Sequence, residues 1–327
     1  MKKYCLLLAA FFLFGTAGCG SSASEGSAHT ASGGGGSSEA AAKSASPAIS
    51  ITDFAGRKIV FDTVPSKLVA LGNGEMDIVY ALGGKLVGRP NSPGTAAVKE
   101  ASDVEQVGST HSIDLEKIAF LEPDAVLGNN PLNMKDISAV EGAGAKMVLS
   151  SANSIDEIKK QIQLFGQMLQ KERKASELIA AIDGKATALK AAQSSGKPRV
   201  LLVYGAPGTY MAALNNSLSG DILATAGGEN IAADYPSLDN YPQYAQLNTE
   251  KIVKSNPQLI LIMTHGNADK VKDGFIKEMQ QNAAWNSLDA VKANRIEVLP
   301  ADLFGTNPGT GIVKALDLMK QLLDKAK

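Results

Sequence analysis

A short motif that occurs twice constrains the fold of this chain more than any other feature of the sequence. Glu-Lys-Ile stands at residues 116–118 and again at 250–252, and four residues separate each copy from a proline, Pro123 in the first and Pro257 in the second. Proline stops a helix and favours a turn, so each copy predicts a short helix followed by a turn. Two copies so far apart indicate two lobes of similar construction.

Apolar residues follow both prolines and complete the repeated unit. Residues 125–127 and 259–262 are consecutive apolar residues of the kind that form buried strands. The two histidines of the folded region lie beside these units, His111 before the first helix and His265 after the second strand. The pattern predicts a two-lobed binder to which each lobe contributes one ligand-binding side chain.

Length and charge narrow the functional classes. The 327 residues suffice for two cores of ordinary size. The 32 Lys and Arg residues nearly balance the 33 Asp and Glu residues, so the net charge is -1 and no basic surface field is expected to bind nucleic acid. The sequence also lacks a phosphate-binding Gly-Lys-Ser/Thr loop, a Gly-x-Ser-x-Gly motif and the paired His or Cys residues of zinc sites. We therefore expect a binding protein and not an enzyme.

Residues 1–19 have the pattern of an export signal. A basic start precedes the apolar run of residues 4–14, which is too short to span a bilayer comfortably. Small residues then lead to Cys19, which we predict to be the lipidated first residue of a membrane-anchored lipoprotein. A plain secretory signal with an incidental cysteine is the alternative. Because Cys5 leaves with the signal, no cysteine remains for a disulfide or a thiolate metal site.

Residues 20–48 are rich in Gly, Ser and Ala and contain almost no large apolar residue. Such a segment cannot bury a core, so we predict a flexible tether. Residues 32–43 resemble modules of engineered linkers, and natural lipoprotein tethers have a similar composition, so the sequence is compatible with either origin. His29 lies in this tether and is not expected to be a ligand.

The rest of the chain predicts two α/β lobes. Strands and helices alternate over residues 49–171, which favours a mostly parallel sheet covered by helices in an N-terminal lobe. Charged and apolar residues interleave over residues 172–195, which predicts one long connecting helix. A buried strand then opens a C-terminal lobe of residues 196–327. A single crossing by one long helix implies a stiff hinge.

Several short motifs, taken in order, resemble one family. They are Val69-Ala70-Leu71, Ile113-Asp114-Leu115-Glu116-Lys117-Ile118, Gly227-Gly228-Glu229-Asn230-Ile231, Asn256-Pro257 and Trp285-Asn286-Ser287-Leu288-Asp289. Over residues 50–327 the chain resembles the solute-binding lipoproteins that serve ATP-driven (ABC) importers of cobalamin, ferric siderophores and haem. The resemblance implies two Rossmann-like lobes joined by one rigid helix, with the ligand in the cleft between them.

Within that family, residues 198–202, 205–210 and 265–266 look most like the haem-binding receptors of Gram-positive surface iron uptake. The resemblance implies haem as the transported ligand, with His265 as an axial ligand of the iron, and it places His111 where a close relative has an axial methionine. Either both histidines bind the iron or His111 stays unbound. A ferric siderophore or cobalamin is the alternative ligand for the same fold. A haem-handling enzyme or an adhesin that uses this fold is the alternative from another class.

The resemblance and the position of the cleft loops also imply pocket residues. The candidates are Met76, Asn91, Ser92, Thr95, Tyr210 and Phe304. Met76 is a rival axial donor, although a methionine at a helix start more often packs in the core. Asn91, Ser92 and Thr95 lie in a loop where relatives hold the haem propionates, largely through backbone N–H groups.

Two acids match those with which this family docks on arginines of the permease, Glu116 in the first lobe and Asp221 in the second. One carboxylate in each lobe would let the permease hold both halves at once. The alternative is that both are ordinary residues of solvated helices. We expect a monomer that is lipid-anchored on the extracellular or periplasmic side of the cell membrane. Its expected partners are haem or a related iron chelate, an ABC permease and the ATPase of that permease.

Overall fold

The computed structural model describes residues 48–92, 96–193, 196–206, 208–264 and 267–326. The predicted lipidation site Cys19 and nearly all of the predicted tether lie outside the described residues. The described fold begins with a two-stranded antiparallel hairpin of β1 (Ile49–Thr52) and β2 (Lys58–Phe61). In this part of the chain, every helix is either too short or too polar to span a lipid bilayer.

Five parallel strands form the first sheet, in the order β5-β4-β3-β6-β7. The elements of this region are β3 (Leu68–Ala70), α1 (Asn73–Ala81), β4 (Leu86–Arg89), β5 (Glu105–Gln106), α2 (Leu115–Leu121), β6 (Ala125–Asn129), α3 (Ile137–Gly142), β7 (Lys146–Ser150) and α4 (Ile155–Met168). The chain order reverses at β3, because β4 and β5 lie on one side of it and β6 and β7 on the other. Ligands of such sheets bind outside the carboxyl ends of the strands at this reversal. The loops after β3 and β6 therefore mark the expected site.

The second sheet has seven strands and is mixed. Helix α5 (Glu172–Ala191) precedes it, and its elements are β8 (Arg199–Ala206), β9 (Thr209–Ala213), α6 (Leu218–Ala226), β10 (Glu229–Asn230), β11 (Ser237–Leu238), β12 (Tyr241–Gln246), α7 (Thr249–Ser255), β13 (Leu259–Met263), α8 (Ala268–Met279), α9 (Asp289–Lys292), β14 (Ile296–Val298), α10 (Ala301–Phe304) and α11 (Ile312–Ala326). Strands β8, β10, β13 and β14 are parallel, whereas β9, β12 and β11 add an antiparallel extension. The predicted α/β class with two lobes is confirmed. The predicted lobe boundaries stay a prediction.

The largest cluster of buried apolar side chains continues from one lobe into the other. It includes Leu68 and Phe165 from the first lobe and Leu202 and Leu316 from the second. Two smaller clusters cover the opposite faces of the two sheets, one around Ile118 and Met147 and the other around Phe275 and Trp285. Because the main core is continuous, moving the lobes apart would expose apolar surface to water, which is unfavourable.

Polar contacts cross the same junction between the lobes. Thr310 donates from its backbone N–H and from its hydroxyl to Asp77 Oδ2, at 2.6 and 2.7 Å. Asn307 Nδ2 donates to Gln161 Oε1 at 2.8 Å, and Gln161 Nε2 donates to the buried Glu75 at 3.0 Å. Burial raises the pKa of the Glu75 carboxyl and of the Asp77 carboxyl. Each junction contact therefore involves, directly or through Gln161, a carboxyl group whose charged form is made unfavourable by burial.

Candidate functional site

His111 lies at the tip of a tight turn in the first lobe. Ser109 and Ser112 exchange both of their backbone hydrogen bonds, at 2.8 and 3.2 Å, and Gly108 forms an antiparallel bridge with Ile113 below them. Gly108 has a φ of 98°, and a Cβ there would lie 2.3 Å from the Ser112 carbonyl oxygen. Only glycine fits such a position without strain. The exposed His111 side chain therefore projects from a backbone of defined geometry.

A buried asparagine holds this turn against the loop after β6. Asn133 is 0% exposed, and its Nδ2 donates to the Thr110 carbonyl at 3.0 Å and to Asp136 Oδ2 at 2.8 Å. Its Oδ1 accepts from the Asn129 N–H at 2.9 Å. A satisfied, buried polar side chain of this kind fixes the position of the groups it bonds. The loop after β6, at the reversal of strand order, is thus joined to the turn that carries His111.

Two exposed apolar side chains stand on either side of Asn133. Leu132 is 43% exposed and Met134 is 50% exposed. Asn133 bonds the backbone of Thr110, so this segment lies against the turn that carries His111, and we call Leu132 and Met134 the apolar rim. This rim was not among the predicted site residues, because the bond between Asn133 and Thr110 joins segments that are distant in the sequence.

The loop after β4 joins the base of the same turn. The Asn91 N–H donates to the Gly108 carbonyl at 2.7 Å, and Asn91 Oδ1 accepts from the Gly108 N–H at 3.0 Å. The Ser92 N–H donates to Gln106 Oε1 at 2.9 Å. These residues and the start of α2 line a depression of about 840 Å³. The predicted Asn91 and Ser92 therefore lie near His111, but their backbone N–H groups are already engaged. Thr95 lies outside the described residues.

Three further pocket candidates are engaged in packing. Met76 is 1% exposed, so its thioether is covered in this conformation. The Tyr210 hydroxyl donates to the Val271 carbonyl at 3.2 Å, and its ring meets the ring of Phe275 at a centroid distance of 5.4 Å. Phe304 is 6% exposed and belongs to the core that continues between the lobes. The structure thus shows packing contacts for all three, as the helix-start position of Met76 had favoured for that residue, and their place in a haem pocket stays a prediction.

In the second lobe, His265 lies outside the described residues and follows the buried Thr264 at the end of β13. Beside that end, Tyr204 is the register partner of Met263, and its ring lies 5.4 Å from the ring of Tyr244. Burial raises the pKa of Tyr244 to about 12 and also raises the pKa of Tyr204. Both phenols therefore stay protonated at neutral pH. At this position the two tyrosines therefore provide aromatic surface and not a phenolate ligand.

The two predicted docking acids have different surroundings. Glu116 is exposed, and its carboxylate has no ion pair or hydrogen bond within the part of the chain that the structure describes. Asp221 is half-buried, and its Oδ2 accepts from the Ile155 N–H at 2.7 Å, which ties α6 to the start of α4. The residue that matches Glu116 in the repeat is Glu250, which is exposed on α7. The repeat points to Glu250 as the counterpart of Glu116, whereas the resemblance to the family had pointed to Asp221.

Comparison with known proteins gives consistent matches. The family described as "Periplasmic binding protein" matches residues 68–303. High-affinity heme uptake system protein IsdE of Staphylococcus aureus (strain MRSA252) is 29% identical over 244 residues, which cover 74% of this chain and 82% of that protein. An ABC transporter substrate-binding protein from Listeria monocytogenes EGD-e is 31% identical, with a TM-score of 0.69 and coverage of 80% of this chain and 100% of that one. S. aureus IsdE complexed with heme is 28% identical, with a TM-score of 0.68 and coverage of 79% and 98%.

Proposed function

Since this chain belongs to the periplasmic binding protein family, whose members bind substrates for transport and are not enzymes, we propose that it captures haem outside the membrane and delivers it to an ABC permease. The observation that carries the proposal is the exposed His111 on its fixed turn, next to the apolar rim of Leu132 and Met134. This combination suits haem, because its iron can take an axial imidazole while its macrocycle packs against apolar side chains.

One arginine at these loops is not available to an anionic ferric siderophore, although the exposed Lys135 lies beside His111 and its Nζ donates to the His111 carbonyl at 3.4 Å. Anionic iron chelates call for exposed cationic side chains, and the arginine at the carboxyl end of β4, Arg89, is only 5% exposed. Its guanidinium donates to the Pro90 carbonyl at 3.1 Å and to the Ser102 carbonyl at 3.3 Å. Arg89 is thus used within the protein. A titration with a ferric siderophore and with cobalamin, run beside haemin, compares the three ligands directly.

The test of haem binding is a spectral titration of the full chain with haemin. We expect one haem per protein and a shift of the Soret band, with a six-coordinate, low-spin ferric complex if His111 and His265 both bind the iron. A high-spin complex at neutral pH would instead indicate one histidine. Absence of any Soret shift, with tight binding of a siderophore or cobalamin, would overturn the assignment of haem.

Histidine variants separate the two ligands. His265→Ala should weaken haem binding by at least about tenfold, a change of about 1.4 kcal/mol, and by more than His111→Ala. The reason is that the resemblance around His265 is closer, while the first-lobe donor differs from that of the relative. His29→Ala in the predicted tether is the matched control and should bind as the parent does. Met76→Leu removes a thioether while preserving volume and should leave the spectrum unchanged.

Delivery is tested with acid variants in haem transport into vesicles that carry the cognate permease and ATPase. Glu116→Ala with Asp221→Ala was the pair expected from the sequence, and Glu116→Ala with Glu250→Ala is the pair that the repeat favours. Both pairs should bind haem normally, and the pair that contains the true second-lobe docking acid should transport less. Normal transport by both pairs would assign these acids to ordinary solvated surface. Loss of haem affinity would move them into the binding site.

Membrane attachment is tested at Cys19. If the lipid anchor exists, Cys19→Ser should move the chain from the membrane fraction to the soluble fraction without changing its haem titration. Membrane retention of Cys19→Ser would contradict the anchor and leave haem capture unaffected.

A further inference from the structure

One phenylalanine of the first lobe is almost fully in contact with water. Phe120, on α2, is 87% exposed, whereas the other exposed large apolar side chains of the described residues range from 40% to 56%. Burying a phenylalanine side chain is favourable by about 1.5 to 3 kcal/mol, so such exposure forgoes a substantial stabilisation. An isolated exposed apolar residue is common in proteins. The residues around Phe120 therefore determine whether its exposure indicates a contact site.

The charges around Phe120 leave one carboxylate without a partner. Lys117 is paired with Glu105, and Glu122 with Lys67 at 3.6 Å. Glu116 has no such pair within the described part of the chain. The face of α2 that carries Phe120 thus offers one uncompensated negative charge.

Glu116 and Phe120 lie on one face of α2. They are four residues apart, and residues at this spacing are neighbours on a helix surface. An unpaired carboxylate one turn from an uncovered aromatic ring is complementary to a partner with a cation beside an apolar pocket. Interfaces use such pairs of a buried aromatic anchor and a nearby charge.

The second copy of the motif lacks the aromatic residue. Glu250 on α7 corresponds to Glu116, and the residue one turn later is Lys254, at the position that Phe120 occupies in α2. Both Glu250 and Lys254 are exposed. The equivalent face of the second lobe therefore presents an acid and a base and no apolar group. The two docking faces that the repeat creates are chemically different.

We propose that Phe120 is the apolar anchor by which the first lobe docks on the permease, inserting into an apolar pocket next to the cation that pairs with Glu116. The proposal rests on the proposed delivery to a permease and adds a contact that a carboxylate alone does not supply. Because Lys254 replaces the anchor in the second lobe, only one lobe fits that pocket. The difference would fix which lobe meets which half of the permease.

The experiment compares Phe120→Ser with two control variants of the full chain, Lys254→Ser and Tyr241→Ser. Tyr241 is 56% exposed and provides an aromatic control in the second lobe. Affinity of each haem-loaded protein for liposomes carrying the cognate permease is measured together with haem titration. Loss of an anchor costs about tenfold or more in affinity. We expect that loss for Phe120→Ser only, with haem binding and thermal unfolding unchanged in all three.

Glu116→Ala, measured in parallel, separates failure of this inference from failure of the proposed delivery. If Glu116→Ala binds the permease weakly and Phe120→Ser binds like the parent, docking stands and the anchor is wrong. If both bind like the parent, α2 is not a docking face and both proposals for it fail. The remaining alternative is that Phe120 contacts a second copy of this chain, which sedimentation of the parent would detect as a dimer. A dimer that dissociates on Phe120→Ser would assign Phe120 to self-association and overturn the proposal.

Discussion

Helices α2 and α7 begin in the same way, although different side chains cap their first turns. The Asp114 carboxylate accepts from the Lys117 N–H at 3.1 Å, and the Asn248 side-chain oxygen accepts from the Lys251 N–H at 2.8 Å. Both residues are N-caps that satisfy a backbone donor with no partner inside the helix. The repeat therefore specifies a local structure, in which the cap can change from Asp to Asn while the structure is kept.

The ends of the two helices repeat as well, but their outer faces do not. Glu122 and Asn256 end α2 and α7 in the left-handed conformation, with φ of 46° and 44°. By contrast, Lys251 lies 4.7 Å from the centre of the Tyr235 ring, whereas Lys117 pairs with Glu105. The repeated helix ends therefore build the scaffold, whereas the repeated lysines have different partners and give each lobe its own surface.

The largest expected effect tests whether the two copies are equally important for folding. Ile118 and Ile252 are equivalent in the repeat and both are 0% exposed. Either isoleucine changed to alanine leaves a cavity, so we expect the free energy of unfolding to fall by about 2 to 5 kcal/mol in each case. Urea denaturation followed by circular dichroism measures this, with Val60→Ala at an exposed position as the control. A loss at only one site would break the equivalence.

A buried acid sets the first lobe apart from the second. Glu75 is 4% exposed, and no Asp or Glu of the described second-lobe residues is buried to this degree. Burial raises the pKa of Glu75, so the folded state holds the proton more tightly than the unfolded state. The stability linked to Glu75 is therefore complete below its unfolded pKa and is lost as the pH rises through its folded pKa.

Unfolding free energies of the parent and of Glu75→Gln, measured across that pH range, test this sign. The parent should lose stability relative to the variant as the pH rises, because only the parent carries a carboxyl whose pKa burial raises. The uncharged side chain of the variant keeps a carbonyl oxygen that can accept from Gln161. Parallel curves for the two proteins would show that Glu75 does not titrate in the folded state as its burial implies.

The caps provide a smaller and more symmetric test. Asp114→Ala and Asn248→Ala each remove the side-chain acceptor at a helix start, which typically costs about 1 kcal/mol. We expect similar losses from the two changes in urea denaturation. Asp114→Asn exchanges one cap for the other and should stay within about 0.5 kcal/mol of the parent, because surface changes that preserve such a feature have small effects. A large loss in Asp114→Asn would mean that its charge, and not only its acceptor, is required.

The scaffold was predictable from the sequence because it follows local rules. The proline-ended repeat and the apolar runs 125–127 and 259–262 gave two helices, two strands and two lobes, all of which depend on residues close in the chain. The apolar rim beside His111 was not predictable, since it depends on the buried Asn133 that joins segments distant in sequence.

The engaged N–H groups of the loop after β4 were unpredictable for the same reason. The Asn91 N–H bonds the carbonyl of Gly108, and the Ser92 N–H bonds the side chain of Gln106 across the sheet edge. Candidate site residues could be proposed from type and position. Whether their donors and acceptors are free depends on the tertiary partners that the fold supplies.

The smallest effects concern the two lysines of the repeat. Lys251→Met removes a cation over the Tyr235 ring and should cost about 0.5 kcal/mol, whereas Lys117→Met removes an exposed ion pair with Glu105 and should cost little. Salt distinguishes them, because an exposed ion pair weakens as the Debye length shortens, from about 10 Å at 0.1 M salt to about 3 Å at 1 M. In urea denaturation at low and at high salt, the difference between Lys117→Met and the parent should disappear at high salt. The difference for Lys251→Met should persist, because contact with the ring also includes the apolar stem. Equal salt dependence of the two would mean that both lysines act through simple ion pairing, and that the outer faces of the two helices differ less than their contacts indicate.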